Sequence, residues 1–164
     1  MGYIQELRAL VGQRPLIMPG ANVIVVDKMN RLLLQLRSDN KCWGLPGGAM
    51  EPGETLEEVA KRELYEETNL VAKNLSLFNV YSGEEFYYKY PHGDEVYNVI
   101  TTYICTEYDG VMKKDENEVL DLKFVHYDEL PIKLNPPEMP IITEFINTYY
   151  KEKNLSSEGH ESPK

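Results

Sequence analysis

The sequence predicts one domain of the α/β (α+β) class, with a mixed sheet between helices. Two observations favour this class. Apolar runs of β-rich composition recur along the chain and are separated by turn residues. Helical patterns precede, interrupt and follow these runs, as in layered folds where helices cover a sheet. The 164 residues suffice for one ordinary domain but not for two, and we expect that domain to span residues 1–152.

The first predicted elements are a helix and two strands. Residues 3–11 have the apolar spacing of a short amphipathic helix, which ends near Gly12. Two apolar, β-rich runs follow at residues 17–27 and 31–38. Because only residues 28–30 separate them, we predict two strands joined by a tight turn.

A turn-rich stretch and a second helix come next. Residues 39–48 contain the Asn, Pro and Gly residues that favour turns. We predict a helix at residues 56–68. Thr55 and Glu58 have the spacing of a capping box at its start, and Asn69 can adopt the left-handed conformation that closes a helix.

The remainder of the chain is predicted to form three strands, a helix and a tail. Turn residues separate the first two of these strands, and the end of the chain is polar, with one leucine as its large apolar residue. These elements are strands at 75–90, 95–108 and 118–127, a turn at 91–94, a helix at 137–151 and a disordered tail at 153–164.

The composition argues against several classes of function. The net charge is −10, from 17 basic and 27 acidic residues, and no basic cluster favours generic binding to nucleic acid or to an anionic membrane. No apolar run approaches the length of a membrane span, and the first residues lack the apolar region of a secretory signal, so we expect a cytoplasmic protein. Cys42 and Cys105 lack the spacing of a zinc site and are expected to be buried free thiols.

Acidic residues interrupt the apolar stripe of the second predicted helix. At about 100° per residue from Leu56, Ala60 lies at about 40° on this stripe. Glu63, Glu66 and Glu67 then lie at about 340°, about 280° and about 20°, on the same inward side. Acids so close together repel one another, and the dipole at the helix C-terminus disfavours their charge.

On the residues alone, two explanations of these acids remain open. A hard divalent cation such as Mg²⁺ or Mn²⁺ would remove the repulsion, since such ions prefer carboxylate oxygens and leave positions for water and phosphate. Such a cation would also let an acidic protein bind an anionic small molecule. Alternatively, the acids form a solvated charged face, as charge runs usually do, and pair with basic residues such as Arg62.

Residues 48–70 supply a more specific pattern. Its specified positions are Gly48, Glu54, Arg62, Glu63, Leu64, Glu66, Glu67 and Leu70. In this register the segment resembles the signature of the Nudix hydrolases. That box is G-x5-E-x7-R-E-U-x-E-E-x-G-U, in which U is a bulky aliphatic residue. The departure is Asn69 in place of a glycine, and Asn tolerates the positive φ expected there. The resemblance implies a Nudix-like α/β/α sandwich.

The resemblance also implies a reaction and a role for each box residue. The reaction is attack of a metal-activated water on phosphorus in a nucleoside diphosphate linked to another moiety, with Mg²⁺ or Mn²⁺ neutralising phosphate charge. The substrates considered are a nucleoside triphosphate, a dinucleoside polyphosphate, an ADP-ribose type and 5′-triphosphate RNA. Glu54 and Arg62 would orient the cluster, Arg62 by pairing with a carboxylate. The implied metal ligands are the carbonyl of Gly48 and the side chains of Glu63, Glu66 and Glu67.

Members of the resembled family often draw a general base, or a further ligand, from an acid ahead of a late strand. Glu118 is our candidate, because it stands at the start of the last predicted strand. Asp115 and Glu116 could substitute for it. A solvated loop acid without a catalytic role is an open alternative for all three.

Aromatic residues are the candidates for contacting the base of the substrate. Trp43, Tyr87, Tyr88 and Tyr90 could stack on it, although aromatic residues on strands also form core or cross-strand pairs. We select Trp43, Tyr87 and Tyr88. The spacing of the last two from the box resembles that of a tyrosine in dinucleoside polyphosphate hydrolases, whereas Glu85 stands in a region where many ADP-ribose pyrophosphatases carry proline.

Two other functions are compatible with the same fold. One is a nucleotide-sensing or protein-binding module without catalysis, against which the intact set of acids argues. The other is an isomerase. A nucleophilic triad is not supported, because no Ser or Cys has the elbow-like context that it requires. Dimers are common in the resembled family, so a homodimer is one expectation.

Overall fold

The computed structural model describes residues 2–152, so the predicted tail at 153–164 lies outside the described residues. In the described part of the chain, no helix combines the length and the apolar character that crossing a membrane requires. The α-helices are α1 (Tyr3–Val11), α2 (Leu56–Thr68) and α3 (Met139–Phe145). The strands are β1 (Leu16–Val25), β2 (Leu32–Arg37), β3 (Trp43–Gly44), β4 (Gly47–Ala49), β5 (Val71–Ala72), β6 (Ser76–Tyr81), β7 (Tyr87–Lys89), β8 (Glu95–Cys105), β9 (Tyr108–Asp109) and β10 (Val119–Val125).

A mixed sheet forms the centre of the fold, as the sequence predicts. Strand β1 pairs with β8 in parallel, and with β4 in the antiparallel direction. Strands β6 and β7 both pair with β8 and extend the sheet. A second, antiparallel sheet has the order β10-β2-β3, and β5 pairs with β9. The predicted α/β (α+β) class is confirmed.

Both faces of β1 are buried over its second half, which explains its nearly continuous apolar sequence. Val23 and Val25 belong to one core cluster, together with Leu64 of α2. Ile24 belongs to the other cluster, together with Phe145 of α3. Because side chains alternate along a strand, β1 supplies both cores, and the two helices cover opposite faces of the sheet.

Several predicted elements differ from the structure in detail. Residues 28–30 form the predicted turn, with a β-bridge between Val26 and Leu32, but beyond it β1 and β2 enter different sheets. The strand predicted at 75–90 is divided into β6 and β7, because Gly83 has a φ of 103° and a 3-10 turn follows it. Strands β3 and β4 lie where turns were predicted, and the last helix begins with a 3-10 turn and ends with a π-helical turn.

The boundaries of α2 agree with its predicted capping residues. The Thr55 hydroxyl accepts a hydrogen bond from Glu58 N–H (3.1 Å), and the Glu58 carboxylate accepts one from Thr55 N–H (3.0 Å). At the other end Asn69 has φ 65° and ψ 10°, the left-handed conformation. Its side-chain amide donates to the carbonyl of Val111 (2.9 Å). Asparagine therefore closes this helix as glycine would.

The two cysteines are buried free thiols, as predicted. Cys42 precedes β3, and Cys105 ends β8. Burial raises the pKa of the Cys105 thiol, so this side chain behaves as a small apolar core residue.

Candidate active site

The glycine-rich segment before α2 is a strand of the mixed sheet. In the pairing of β4 with β1, Ala49 lies opposite Gly20 and Gly48 lies opposite Ala21. Helix α2 packs against both strands. A Cβ atom on Gly48 would lie about 2.5 Å from the carboxyl carbon of Glu63, so the absence of a side chain lets this carboxylate approach the strand.

Arg62 is the centre of a charged network around α2. Its guanidinium donates two hydrogen bonds to Glu54, at 2.7 and 2.9 Å, and one to the carbonyl of Ala49, at 3.1 Å. It also donates to Glu63 at 2.8 Å and to Glu66 at 3.3 Å. Hydrogen bonds from Arg62 lower the pKa of Glu54, which stays charged. Arg62 therefore ties the loop before α2 to the acids on the helix.

Glu67 is a buried acid of the box, with 5% of its surface exposed. One carboxylate oxygen accepts a hydrogen bond from Gly47 N–H (2.8 Å), and the other accepts one from the Gln35 side-chain amide (2.7 Å). Burial raises the pKa of Glu67 well above its ordinary value, and the nearby charge of Glu63 raises it further. A positive charge beside Glu67 would therefore stabilise its carboxylate form.

A cleft of about 530 Å³ opens beside these residues. It brings Gly48, Glu63 and Glu67 of the box together with Glu118, from the turn before β10. Burial raises the pKa of Glu63, and the charges of Glu66 and Glu118 act in the same direction, against hydrogen bonding by Arg62. The loop acid is therefore near enough to influence the acids of the box.

Three charged residues of the predicted site lie outside the lining of the cleft, namely Glu54, Arg62 and Glu66. The prediction that Glu66 faces inward is wrong, because 55% of its side chain is exposed. Its carboxylate reaches the guanidinium of Arg62 on the same helix instead of the core. Arg62 hydrogen-bonds the cleft acid Glu63 directly, and Glu54 is connected to Glu63 through Arg62.

The three loop acids differ in their relation to the cleft. Glu118 precedes β10, as predicted, and its exposed side chain lines the cleft. Its backbone carbonyl accepts a hydrogen bond from Ser38 N–H (3.1 Å), which ties the turn to the end of β2. Asp115 and Glu116 are not among the lining residues. Of the three loop acids, Glu118 therefore best fits the predicted role of general base or further ligand.

The three selected aromatic residues have different surroundings. Tyr88 lines the cleft, and its hydroxyl accepts a hydrogen bond from Asn40 (2.8 Å). Tyr87 points to the other face of β7, where it is exposed and hydrogen-bonds Glu95. The ring of Trp43 packs against a core cluster and lies 4.4 Å from the amino group of Lys123. Neither Trp43 nor Tyr87 lines the cleft.

Sequence reasoning missed several polar residues of the cleft. Arg37 and Asp39 form a pair with two hydrogen bonds, at 3.0 and 2.7 Å. Glu138, in the 3-10 turn before α3, accepts a hydrogen bond from Leu45 N–H (2.6 Å), and burial raises its pKa to about 7. No local pattern marks such residues, because the fold brings them together from distant segments. Further polar residues of the lining are Asn22, Gln35, Asn98 and Asn135.

The donor chemistry of the cleft suits a hard divalent cation. Glu63 and Glu67 offer carboxylate oxygens, and Gln35 Oε1 is, among the described residues, a buried side-chain oxygen without a hydrogen-bond partner. Within residues 2–152, however, no three His, Cys, Asp or Glu side chains converge so that they could hold a metal ion. The carboxylates of Glu63 and Glu66 accept hydrogen bonds from Arg62 instead.

This chain matches one family model and is similar to several known proteins. A family model described as the NUDIX domain matches residues 16–145. An ADP-ribose pyrophosphatase of Methanocaldococcus jannaschii is 34% identical over 125 residues, which cover 74% of this chain and 69% of that protein. A Bacillus subtilis (strain 168) protein, provisionally named an 8-oxo-dGTP diphosphatase, is 34% identical over 128 residues, covering 78% of this chain and 79% of that protein. The solved structure of a MutT protein from Bacillus halodurans has a TM-score of 0.63 and 31% identity, and the match covers 77% of this chain and 80% of that one.

Proposed function

Because the chain belongs to the Nudix family, we propose that it is a divalent-metal-dependent pyrophosphohydrolase. Its substrate in this proposal is a nucleoside diphosphate linked to another moiety, and the bond cleaved is a phosphorus anhydride. The observation that carries the proposal is the cleft in which Glu63, Glu67 and Glu118 line one space beside Gly48. Relatives named as a pyrophosphatase and a diphosphatase support hydrolase activity.

The acids of the box hold the cation in this proposal. Glu63, Glu67 and the Gly48 carbonyl would hold it, and Glu66 would join them if its carboxylate turned away from Arg62. We propose Mg²⁺ or Mn²⁺, since both are hard ions that bind carboxylate oxygens. The bound cation supplies neutralisation of charge on the bridging phosphates and a lower pKa for water.

Glu118 is the proposed general base. Its carboxylate lines the cleft and is open to solvent, so it can accept the proton of an attacking water. Glu54 acts indirectly, because its two hydrogen bonds fix the guanidinium of Arg62, which in turn contacts Glu63. Glu54 and Arg62 are therefore positioning residues.

Tyr88 is the proposed contact for the base of the substrate. It lines the cleft, unlike Trp43 and Tyr87, and its ring offers a surface for stacking.

ADP-ribose and 8-oxo-dGTP are the first substrates to test, since two relatives are named for acting on them. A cytoplasmic location, a homodimer and a single domain over residues 1–152 stay predictions.

A substrate panel tests the proposal. The full chain is incubated with Mg²⁺ or Mn²⁺ and (d)NTPs, 8-oxo-dGTP, ADP-ribose, dinucleoside polyphosphates or 5′-triphosphorylated RNA, and the products are quantified. We expect metal-dependent hydrolysis of at least one substrate. Glu67→Gln should lower kcat by roughly 100-fold, as expected when a group that stabilises transition-state charge is lost. Glu129→Gln, which changes an exposed acid outside the cleft lining, should leave kcat unchanged.

Three other outcomes would change the proposal. If no substrate gives a metal-dependent product, the alternative of a nucleotide-sensing or protein-binding module without catalysis is favoured. If Glu67→Gln hydrolyses a substrate at the wild-type rate, the role proposed for Glu67 is wrong. If Glu118→Gln keeps the wild-type kcat while Glu67→Gln loses it, another group is the base.

A further inference from the structure

The N-terminal helix contributes to the cleft although it lies outside the matched family region. The family model begins at residue 16, after α1 ends at Val11. Ile4 and Gln5, near the start of α1, nevertheless line the same cleft as Glu63 and Glu67. This helix therefore adds a wall that the family match does not include.

Polar contacts at both ends hold α1 in place. At its start, Tyr3 N–H donates a hydrogen bond to the carboxylate of Glu51 (3.1 Å), in the loop that leads to α2. At its end, the guanidinium of Arg8 donates to the carbonyl of Glu95 (2.6 Å), where β8 begins. No residue of α1 is fully buried, so these contacts add to the packing of its half-buried residues, such as Ile4 and Leu7.

Strands β1 and β8 supply a floor to the cleft that α1 and Tyr88 also line. Met18 of β1 lies opposite Asn98 of β8, and both line the cleft. On the other side of β8, Tyr88 lies opposite Val96. Residues two apart on a strand share a face, so Val96 and Asn98 belong to the same side of the sheet. Residues of α1, the residues Met18 and Asn98 on these two strands, and Tyr88 thus all line one cleft.

The side chains around this floor suit a nucleoside better than a phosphate. Ile4, Met18 and Tyr88 offer apolar or aromatic surface for a base or sugar. The amide of Gln5 offers donor and acceptor atoms without a charge. In the described part of the chain this amide forms no hydrogen bond, and the residue is exposed, so its polar atoms are free for a ligand.

We propose that α1 is one wall of the nucleoside subsite and that Gln5 hydrogen-bonds the nucleoside of the substrate. The inference rests on the proposed function, because that function supplies the substrate class. It assigns a specificity role to a residue outside the region matched by the family model.

The variant Gln5→Ala, with Glu6→Ala as its matched control, tests this role. Both residues are exposed, but Glu6 does not line the cleft, and Ala is a good helix former in both places. With ADP-ribose or 8-oxo-dGTP, Gln5→Ala should raise KM about three- to tenfold and leave kcat unchanged, the effect of one lost neutral hydrogen bond. Glu6→Ala should match the wild type. A wild-type KM for Gln5→Ala overturns the proposal.

A binding measurement separates this inference from the proposed function. Hydrogen exchange of the amides in Tyr3–Val11 is followed with and without AMP or GMP, which carry a nucleoside but no diphosphate. We expect one of them to slow exchange in α1 of the wild type, and to slow it less in Gln5→Ala. If neither nucleotide changes the exchange of these amides, the proposal that α1 is a wall of the nucleoside subsite is wrong. If no substrate is hydrolysed but a nucleotide still protects α1, the proposed function fails and this inference stands.

Discussion

The charge of Glu138 depends on its burial in the fold. Burial raises its pKa to about 7, although the charge of Arg37 and the hydrogen bond from Leu45 N–H oppose the rise. The ordinary pKa of this side chain is 4.5. Between these two values the folded protein binds more protons than the unfolded chain. The stability that Glu138 contributes is therefore fully present below pH 4.5 and is lost as the pH rises through about 7.

Replacing Glu138 by glutamine should remove this pH dependence. In the wild type, this group alone should lower the free energy of unfolding by about 3 kcal/mol between acidic and mildly alkaline pH. Glutamine keeps an oxygen for the Leu45 N–H but has no charge to bury. Denaturant unfolding at a series of pH values measures the effect. The exposed control Glu116→Gln should keep the wild-type slope of unfolding free energy against pH. If the slope of unfolding free energy against pH is unchanged in Glu138→Gln, burial does not raise the pKa of this carboxyl group.

At the scale of the element, α2 orients the box acids through the way in which it ends. Asn69 is in the left-handed conformation directly after the turn that carries Glu66 and Glu67. That conformation costs most L residues about 1–2 kcal/mol, whereas glycine and, to a lesser degree, asparagine tolerate it. The hydrogen bond from Asn69 to Val111 additionally fixes the loop that follows β9.

We expect Asn69→Ala to lower the free energy of unfolding by about 1–2 kcal/mol, because alanine keeps the backbone strain and loses the side-chain hydrogen bond. Asn69→Gly loses the same hydrogen bond but removes the strain, so its change should be smaller than about 1 kcal/mol. Urea denaturation of the two variants gives the comparison. Equal stabilities would show that the left-handed backbone is not what selects asparagine here.

At the scale of the molecule, two cores lie on opposite faces of one sheet. Leu64 belongs to the core under α2, and Ile142 belongs to the core under α3. Leu64→Ala should cost about 2–5 kcal/mol and Ile142→Val about 0.5–1.5 kcal/mol. Because the two sites share no cluster, the double variant should show the sum within about 0.5 kcal/mol in equilibrium unfolding. A larger discrepancy would mean that the sheet transmits strain between the cores.

The sequence predicts the parts of this fold that local chemistry determines. The bounds of α2 follow from Thr55 and Asn69, which act within a few residues of the helix ends. The separation of β1 from β2 was not predictable, since pairing partners are chosen by tertiary packing. The exposure of Glu66 depends on the reach of Arg62, and the burial of Glu138 depends on segments far away in sequence. Helical periodicity contains neither kind of information.

The two-sided burial of β1 also affects how the chain avoids misfolding. A shift of this strand by one residue would still bury apolar side chains, so hydrophobicity does not fix its register. The small and polar residues of β1 fix its register instead. Asn22 and Thr102 lie opposite each other and share a buried hydrogen bond (2.6 Å), which slipped pairing would break. A Cβ atom at Gly20 would lie about 2.4 Å from the Gly48 carbonyl oxygen, so no other residue type fits there without displacement.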